Sequence, residues 1–154
     1  MQVTVCLANA FTLELTLREP YFRAEQPTEI TNDALRCGHD LSDDVHVALD
    51  EETISQPHGE FSVRAGHLVY RDLNSHYGTI FLDGYTQIFE SRVLGGYREL
   101  AALAEESRDL EYEFKAEDFG KDLTLQLGQV GVVLVVTSRT SDAGTRGTNL
   151  ADER

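Results

Sequence analysis

Four short polar constellations between residues 38 and 79 carry the side chains able to do chemistry: Gly38-His39, Ser55-Gln56-Pro57-His58, Ser75-His76-Tyr77 and Gly78-Thr79. Their hydroxyls, imidazoles and amide can donate to, or accept from, a peptide or an anion. They do not form a nucleophile with its base, a pair of catalytic carboxylates or a phosphate-cradling glycine loop, so a non-enzymatic protein is expected. His39, His58 and His76 lack the spacing of metal ligands, and neither a metal nor another cofactor is expected. Each constellation sits between strand-like runs, and loops held on a rigid sheet are where binding residues collect.

Those runs are read from alternation. Val3, Val5 and Leu7, then Leu13, Leu15 and Leu17, each share a face, with Asn9-Ala10 as the turn between two strands. Residues 18–33 hold Pro20 and Pro27 and read as a loop with one short strand. Strands are expected at 34–37, 45–49, 60–63, 67–71 and 79–82, with turns at Ala65-Gly66 and Asp83-Gly84. Two more, at 123–127 and 130–136, close the pattern, the last apolar enough to be central. Regularly spaced short strands of this kind make an all-β sandwich. Residues 85–119 differ in texture and read as an insertion. Within it, 97–108 is an amphipathic helix with Tyr97, Leu100, Ala101 and Ala104 on one side, and 110–114 alternates as a further strand candidate. One domain over 1–137 is therefore expected, followed by a polar tail, 138–154, that is flexible or ordered by a partner.

The chain has 154 residues, 27 acidic and 13 basic, and a net charge of -14. Nucleic acids and anionic membranes need a basic footprint, so neither is an expected partner. The charge favours solubility or a basic protein partner. No apolar run is long enough to cross a bilayer as a helix. The first residues lack the basic stretch that opens a secretory leader. Cys6 and Cys37 are too few for a disulfide framework and read as buried thiols in a reducing compartment, which makes a cytoplasmic location the expectation.

Taken in order, these motifs resemble the forkhead-associated (FHA) domain, a small β-sandwich that typically reads phosphothreonine peptides. Gly38-His39 stands where that family has Gly-Arg, and Asp43-Asp44-Val45 where it has Asn-Asp-Ile. Ser55-Gln56-Pro57-His58 matches its Ser-x-x-His. Residues 72–79 match its Asp-Leu-x-Ser-x-Asn-Gly-Thr with Tyr77 in place of Asn, and Asp83-Gly84 replaces Asn-Gly. Residues 120–128 resemble its late Gly-Asp-x-Ile-x-Leu-Gly strand. The two blocks cover roughly half the chain.

The resemblance implies that His39, Ser55, Gln56, Ser75, His76 and Tyr77 line a loop rim facing a partner, while Gly38, His58, Gly78 and Thr79 shape the loops. In the family the Arg and the first Ser hold phosphate, and the Asn binds the peptide backbone. Here His39 replaces the Arg and Tyr77 the Asn. An imidazole is shorter than a guanidinium and mostly neutral near pH 7. Arg36, an odd number of residues from His39, leaves a strand by the opposite face. Ser55 is read as a loop hydroxyl in preference to a phosphate donor, and His58 as a buried structural histidine. Tyr77 has two readings, an interface anchor or a lid over the loop base. The expectation is a phospho-independent interaction module, degenerate at the phosphothreonine site, serving as a scaffold subunit of a homo- or hetero-oligomeric assembly such as a secretion apparatus or a virion. The alternative is a phosphothreonine reader that uses His39 and Ser55.

Overall fold

A computed structural model describes residues 1–18, 20–91 and 110–139. The described chain is almost wholly β, built from β1 (Gln2–Leu7), β2 (Phe11–Thr16), β3 (Glu29–Asn32), β4 (Ala34–Gly38), β5 (Val47–Ala48), β6 (Gly59–Arg64), β7 (His67–Asp72), β8 (Thr79–Asp83), β9 (Thr86–Glu90), β10 (Glu111–Glu113), β11 (Leu123–Leu127) and β12 (Val130–Ser138). Seven strands form one sheet in the order β3-β1-β2-β12-β11-β8-β9, and five form the other, β10-β7-β6-β4-β5. The alternating residues of each strand pack between the sheets, as the period of two requires. Val3, Val5, Leu13, Leu15, Leu125, Leu134 and Val136 of the larger sheet meet Leu35, Leu49 and Leu68 from the other side, all buried. Each such side chain contributes about 1.5–3 kcal/mol when fully buried.

One end of the core is aromatic. Phe81 of β8 lies 5.1 Å from Tyr70 and 5.5 Å from each of Phe89, Tyr112 and Phe114, centroid to centroid. Phe61 stands edge-on to Tyr70 at 4.9 Å. Such pairs add about 0.5–1.5 kcal/mol beyond their buried area. They tie β8 and β9 of one sheet to β6, β7 and β10 of the other.

The sandwich agrees with the alternation, and the differences have local causes. The first hairpin turns at Ala8-Asn9, one residue earlier than expected, with φ of 52° and 51° and Ala10 N–H donating to the Leu7 carbonyl at 2.9 Å. Val45, Val47 and Leu49 are all buried, yet the strand is shorter than expected: the Ser42 hydroxyl holds the Asp44 and Val45 amides in a turn, and Leu49 makes an isolated bridge with Phe22. Within 85–119, the stretch read as an insertion, β9 and β10 are strands of the sandwich itself, β9 pairing with β8 and β10 with β7. A register shift between Phe81 and Leu82 interrupts the alternation there, which is why β9 carries no clean period of two. The helix expected over 97–108 lies outside the described residues, as does the tail beyond 139; β12 runs to Ser138. At the centre of its sheet β12 buries one face only, leaving Val133 37% exposed on the other.

Two glycines test the packing in opposite ways. A Cβ on Gly59 would overlap the Tyr70 hydroxyl and ring, whereas one on Gly131 would meet only Thr124 Cγ2, at 3.8 Å. Urea unfolding is expected to show Gly59→Ala destabilised by about 1–3 kcal/mol and Gly131→Ala changed by less than about 0.5 kcal/mol.

Candidate functional site

The loops at one end of the sandwich are built over a buried carboxylate. Asp72, at the end of β7, is 1% exposed. Its Oδ2 accepts the Ser75 amide at 2.9 Å, and its Oδ1 accepts the Ser75 hydroxyl at 2.6 Å and the Thr79 hydroxyl at 3.0 Å. Because the Thr79 proton goes to Asp72, the Tyr70 phenol is the donor in its 2.7 Å contact with Thr79 Oγ1. Burial, reinforced by the charge of Asp72, pushes the Tyr70 phenol well above its ordinary range, so it stays protonated to donate. The gap at Gly59 is what lets Tyr70 reach Thr79. Ser75 Oγ in turn accepts the Gly78 amide at 3.0 Å, closing the 75–78 loop on itself.

His58 braces the same loop from the side. It is fully buried. Nδ1 accepts the Ser55 amide at 3.0 Å, which leaves the proton on Nε2, and Nε2 donates to the Gly78 carbonyl at 2.9 Å. The Ser55 hydroxyl accepts the His76 amide at 3.0 Å. Gln56 joins the third loop: its Oε1 accepts the amides of His39 and Asp40 at 2.7 and 2.8 Å, and its Nε2 donates to the Asp40 carbonyl at 2.8 Å. Gly38 lies beneath, where a Cβ would come within 2.6 Å of that Oε1. Thus His39, Ser55, Gln56, Ser75, His76 and Tyr77 meet on one rim, over Gly38, His58, Gly78 and Thr79. Ser75 is the exception among the rim residues, since it is 2% exposed and belongs to the floor. Tyr77 is 46% exposed and packs edge-on against His76 at 4.7 Å, so it stands on the rim rather than lying over the loop base.

Arg23, from the loop between β2 and β3, is the rim residue that sequence reasoning missed. Its Nε donates to the His39 carbonyl at 2.9 Å and one terminal nitrogen lies 3.0 Å from His39 Nδ1. The guanidinium also pairs with Asp40 at 2.6 Å and Asp50 at 3.2 Å. A single cation therefore sits between two carboxylates, and residues 39–58 bring six acids, Asp40, Asp43, Asp44, Asp50, Glu51 and Glu52, with no Lys or Arg. Arg36 is directed elsewhere, to Glu60 at 3.0 Å and Asp44 at 3.7 Å. Gln26 from the Arg23 loop is buried too, accepting the Ala48 amide and donating to the His46 and Pro27 carbonyls. No periodic signal marks residues 18–28, and their roles arise only from tertiary contact.

Beside the rim, His46 Nδ1 accepts the Arg36 amide at 3.0 Å. Burial, then the charge of Arg36, holds the imidazole below its ordinary value. The Cys37 thiol, fully buried under the rim, is pushed up to about 12 by burial. It is inert as a nucleophile there. Among the described residues no group of His, Cys, Asp and Glu is placed to hold a metal.

No protein-family model matches the chain, and no curated protein matches it in sequence. Solved structures similar to it include FHA domains. That of FhaA, crystallised with the intracellular domain of another protein, is 18% identical over 81% of this chain and 99% of its own, with a TM-score of 0.44. An FHA domain analysed for phosphothreonine-dependent interactions is 17% identical over 82% of this chain and 95% of its own, TM-score 0.44. The FHA domain of the CT664 protein of Chlamydia trachomatis is 14% identical over 82% and 96%, TM-score 0.42. The sandwich itself rests on the strand order and registers given above.

Two measurements check this geometry. Asp72→Ala leaves the Ser75 amide and two hydroxyls without their acceptor, and a loss of about 2–4 kcal/mol in urea unfolding is expected, with proteolysis opening the 73–78 loop first. His46 has a folded pKa below its unfolded one, so the unfolded chain takes up the proton first. Stability is then expected to fall as pH drops below about 6.5 towards the folded pKa, and His46→Gln is expected to flatten that fall.

Proposed function

We propose that this chain is a phospho-independent protein-interaction module with an FHA-like fold and no catalytic activity, which holds a basic segment of a partner protein on its loop rim. The observation that carries the reading is Arg23. The guanidinium that reaches the rim is spent on Asp40, Asp50 and the His39 carbonyl. An approaching phosphate dianion meets that neutralised cation and the surrounding carboxylates, and the net field repels it. A lysine or arginine of a partner meets the opposite field, with the Tyr77 ring free to accept it through its face. The His76–Tyr77 pair, fixed through the Ser55 hydroxyl and the Asp72 network, supplies the rigid aromatic anchor that interface hot spots favour.

Such a module suits a scaffold subunit of a larger cytoplasmic assembly, a secretion apparatus for example, or of a virion. The alternative, a phosphothreonine reader using His39 and Ser55, requires protonated His39 to supply charge, and that imidazole already faces Arg23 and Asp40.

Fluorescence polarisation with two sets of dodecapeptides separates the readings. Peptides bearing two to four Arg or Lys are expected to bind with affinity that falls steeply with salt and drops about tenfold or more in Tyr77→Ala. Phosphothreonine peptides are expected not to bind at any pH from 6 to 8. Sequence-selective micromolar phosphothreonine binding that vanishes in Ser55→Ala, or strengthens towards pH 6, overturns the proposal in favour of the reader.

A further inference from the structure

The outer faces of the two sheets differ in charge. Across the smaller sheet the register aligns Arg36, Glu60, Arg71 and Glu111 in one row of alternating sign. Across the larger sheet the corresponding row is Gln2, Thr16, Val133, Thr124 and Leu82, without a charge. The next row holds Thr4, Glu14 and Val135, and the row on the other side holds Gly131 and Gln126, with Arg18 beyond the end of β2. This Thr- and Val-rich surface carries the carboxylates Glu14 and, beside Val135, Asp122, with Glu29 opposite Thr4 at its edge and Arg18 as a cation among them. It is also indented: Glu14, Thr16, Arg18, Asp122, Gly131 and Val133 are among the residues that line an open depression of about 640 Å³. The notch at Gly131 is not demanded by the fold, since a Cβ there meets nothing closer than 3.8 Å.

Independently of the rim, we infer that this face is the contact between two copies of the chain, packed sheet on sheet about a twofold axis along the Gln2–Thr16–Val133–Thr124–Leu82 row. That axis exchanges the rows on either side. Val135 of one copy then stands over Gly131 of the other and fills its notch, Glu14 faces Arg18, Asp122 faces Gln126, and Val133 meets Val133. An isologous interface needs such self-complementarity: each contact recurs with the copies reversed. The outer face of the smaller sheet would instead bury its ladder of charges, which costs desolvation without added partners. Stacked sheets pack about 10 Å apart with strands near -30°. Five strands by three rows cover roughly 500 Å² per copy, at the small end of specific interfaces, so the dimer is a weak and concentration-dependent one.

Sedimentation of the full chain from about 5 to 500 μM, in about 0.15 and 0.5 M NaCl, tests this. The weight-average mass is expected to rise towards twice the monomer value, more readily at the higher salt, where the net repulsion is screened. Val133→Lys is expected to weaken association at least tenfold, as is Gly131→Val, which fills the notch while sparing the fold. Glu14→Arg and Arg18→Glu are each expected to weaken it about three- to tenfold, and the double reversal to restore it. Circular dichroism and urea unfolding confirm that each variant is folded. A mass that stays monomeric throughout, a dimer indifferent to Val133→Lys and Gly131→Val, or a double reversal that fails to recover overturns the inference. Peptide binding at the rim is unaffected by these variants, so the two proposals fail separately.

Discussion

A carboxylate buried at the end of a sandwich is the constraint on which this molecule is organised. Asp72 has almost no access to water, and an ionised carboxyl without partners in such a place would cost several kcal/mol. Ser75 and Thr79 satisfy it with an amide and two hydroxyls. That requirement fixes the path of residues 73–79, and hence where His76 and Tyr77 emerge. It also recruits Tyr70 through Thr79, and Tyr70 can pass only because residue 59 has no side chain. His58 completes the frame by linking Ser55 to Gly78. The residues that look most like a ligand-binding motif are therefore, for the most part, the internal bonding of a loop platform.

That distinction explains what was legible in the sequence. Strands whose alternation is uninterrupted, β1, β2, β11 and β12, could be placed to within a residue or two, because one buried face per strand dictates a period of two, and β6 and β7 were placed by the Ala65-Gly66 turn between them. β9 escaped because the irregularity opposite Leu82 breaks the period just where the hairpin begins, and the charged stretch after it read as a change of texture. That the loops of Gly38, Ser55 and Ser75 lie at one end of the sandwich was implied by the resemblance of their motifs. Arg23 and Gln26 were not. Both come from a loop without periodicity, and their importance lies in reaching carbonyls, an amide and carboxylates 16 to 27 residues away in sequence. Nor does composition reveal that Ser75 faces inward while Ser55 faces the rim; only the position of the buried carboxylate separates them.

Frame and rim also differ in what substitution costs. A change in the frame strands a buried donor or acceptor, and the penalty falls on folding itself. A change at the rim alters exposed groups whose loss costs the fold little. His39 touches the fold mainly through its backbone, whose amide is held by Gln56 and whose carbonyl is held by Arg23. The side chain at 39 is thus free to vary while the loop keeps its shape. Tyr77 stands in the same relation to Ser75 and Gly78, which bond through main chain and hydroxyl on either side of it. Gly38, Ser55, His58, Ser75, Gly78 and Thr79 thus carry the shape of the platform, and the side chains at 39 and 77 point away from it.

The electrostatics follow from the same partition. The guanidinium supplied from the side by Arg23 pairs with Asp40 and Asp50 and donates to the His39 carbonyl, and so ties three loops together. The three charged groups leave one net negative charge in place, and the neighbouring carboxylates of residues 43–52 add to it without any interleaved cation. Fields of that kind act over about a Debye length and set which sign of partner can approach, before any contact is made. The sandwich thereby presents two kinds of surface: an acidic, aromatic rim whose shape is fixed from within, and a broad β-face whose central row, Gln2, Thr16, Val133, Thr124 and Leu82, carries no charge.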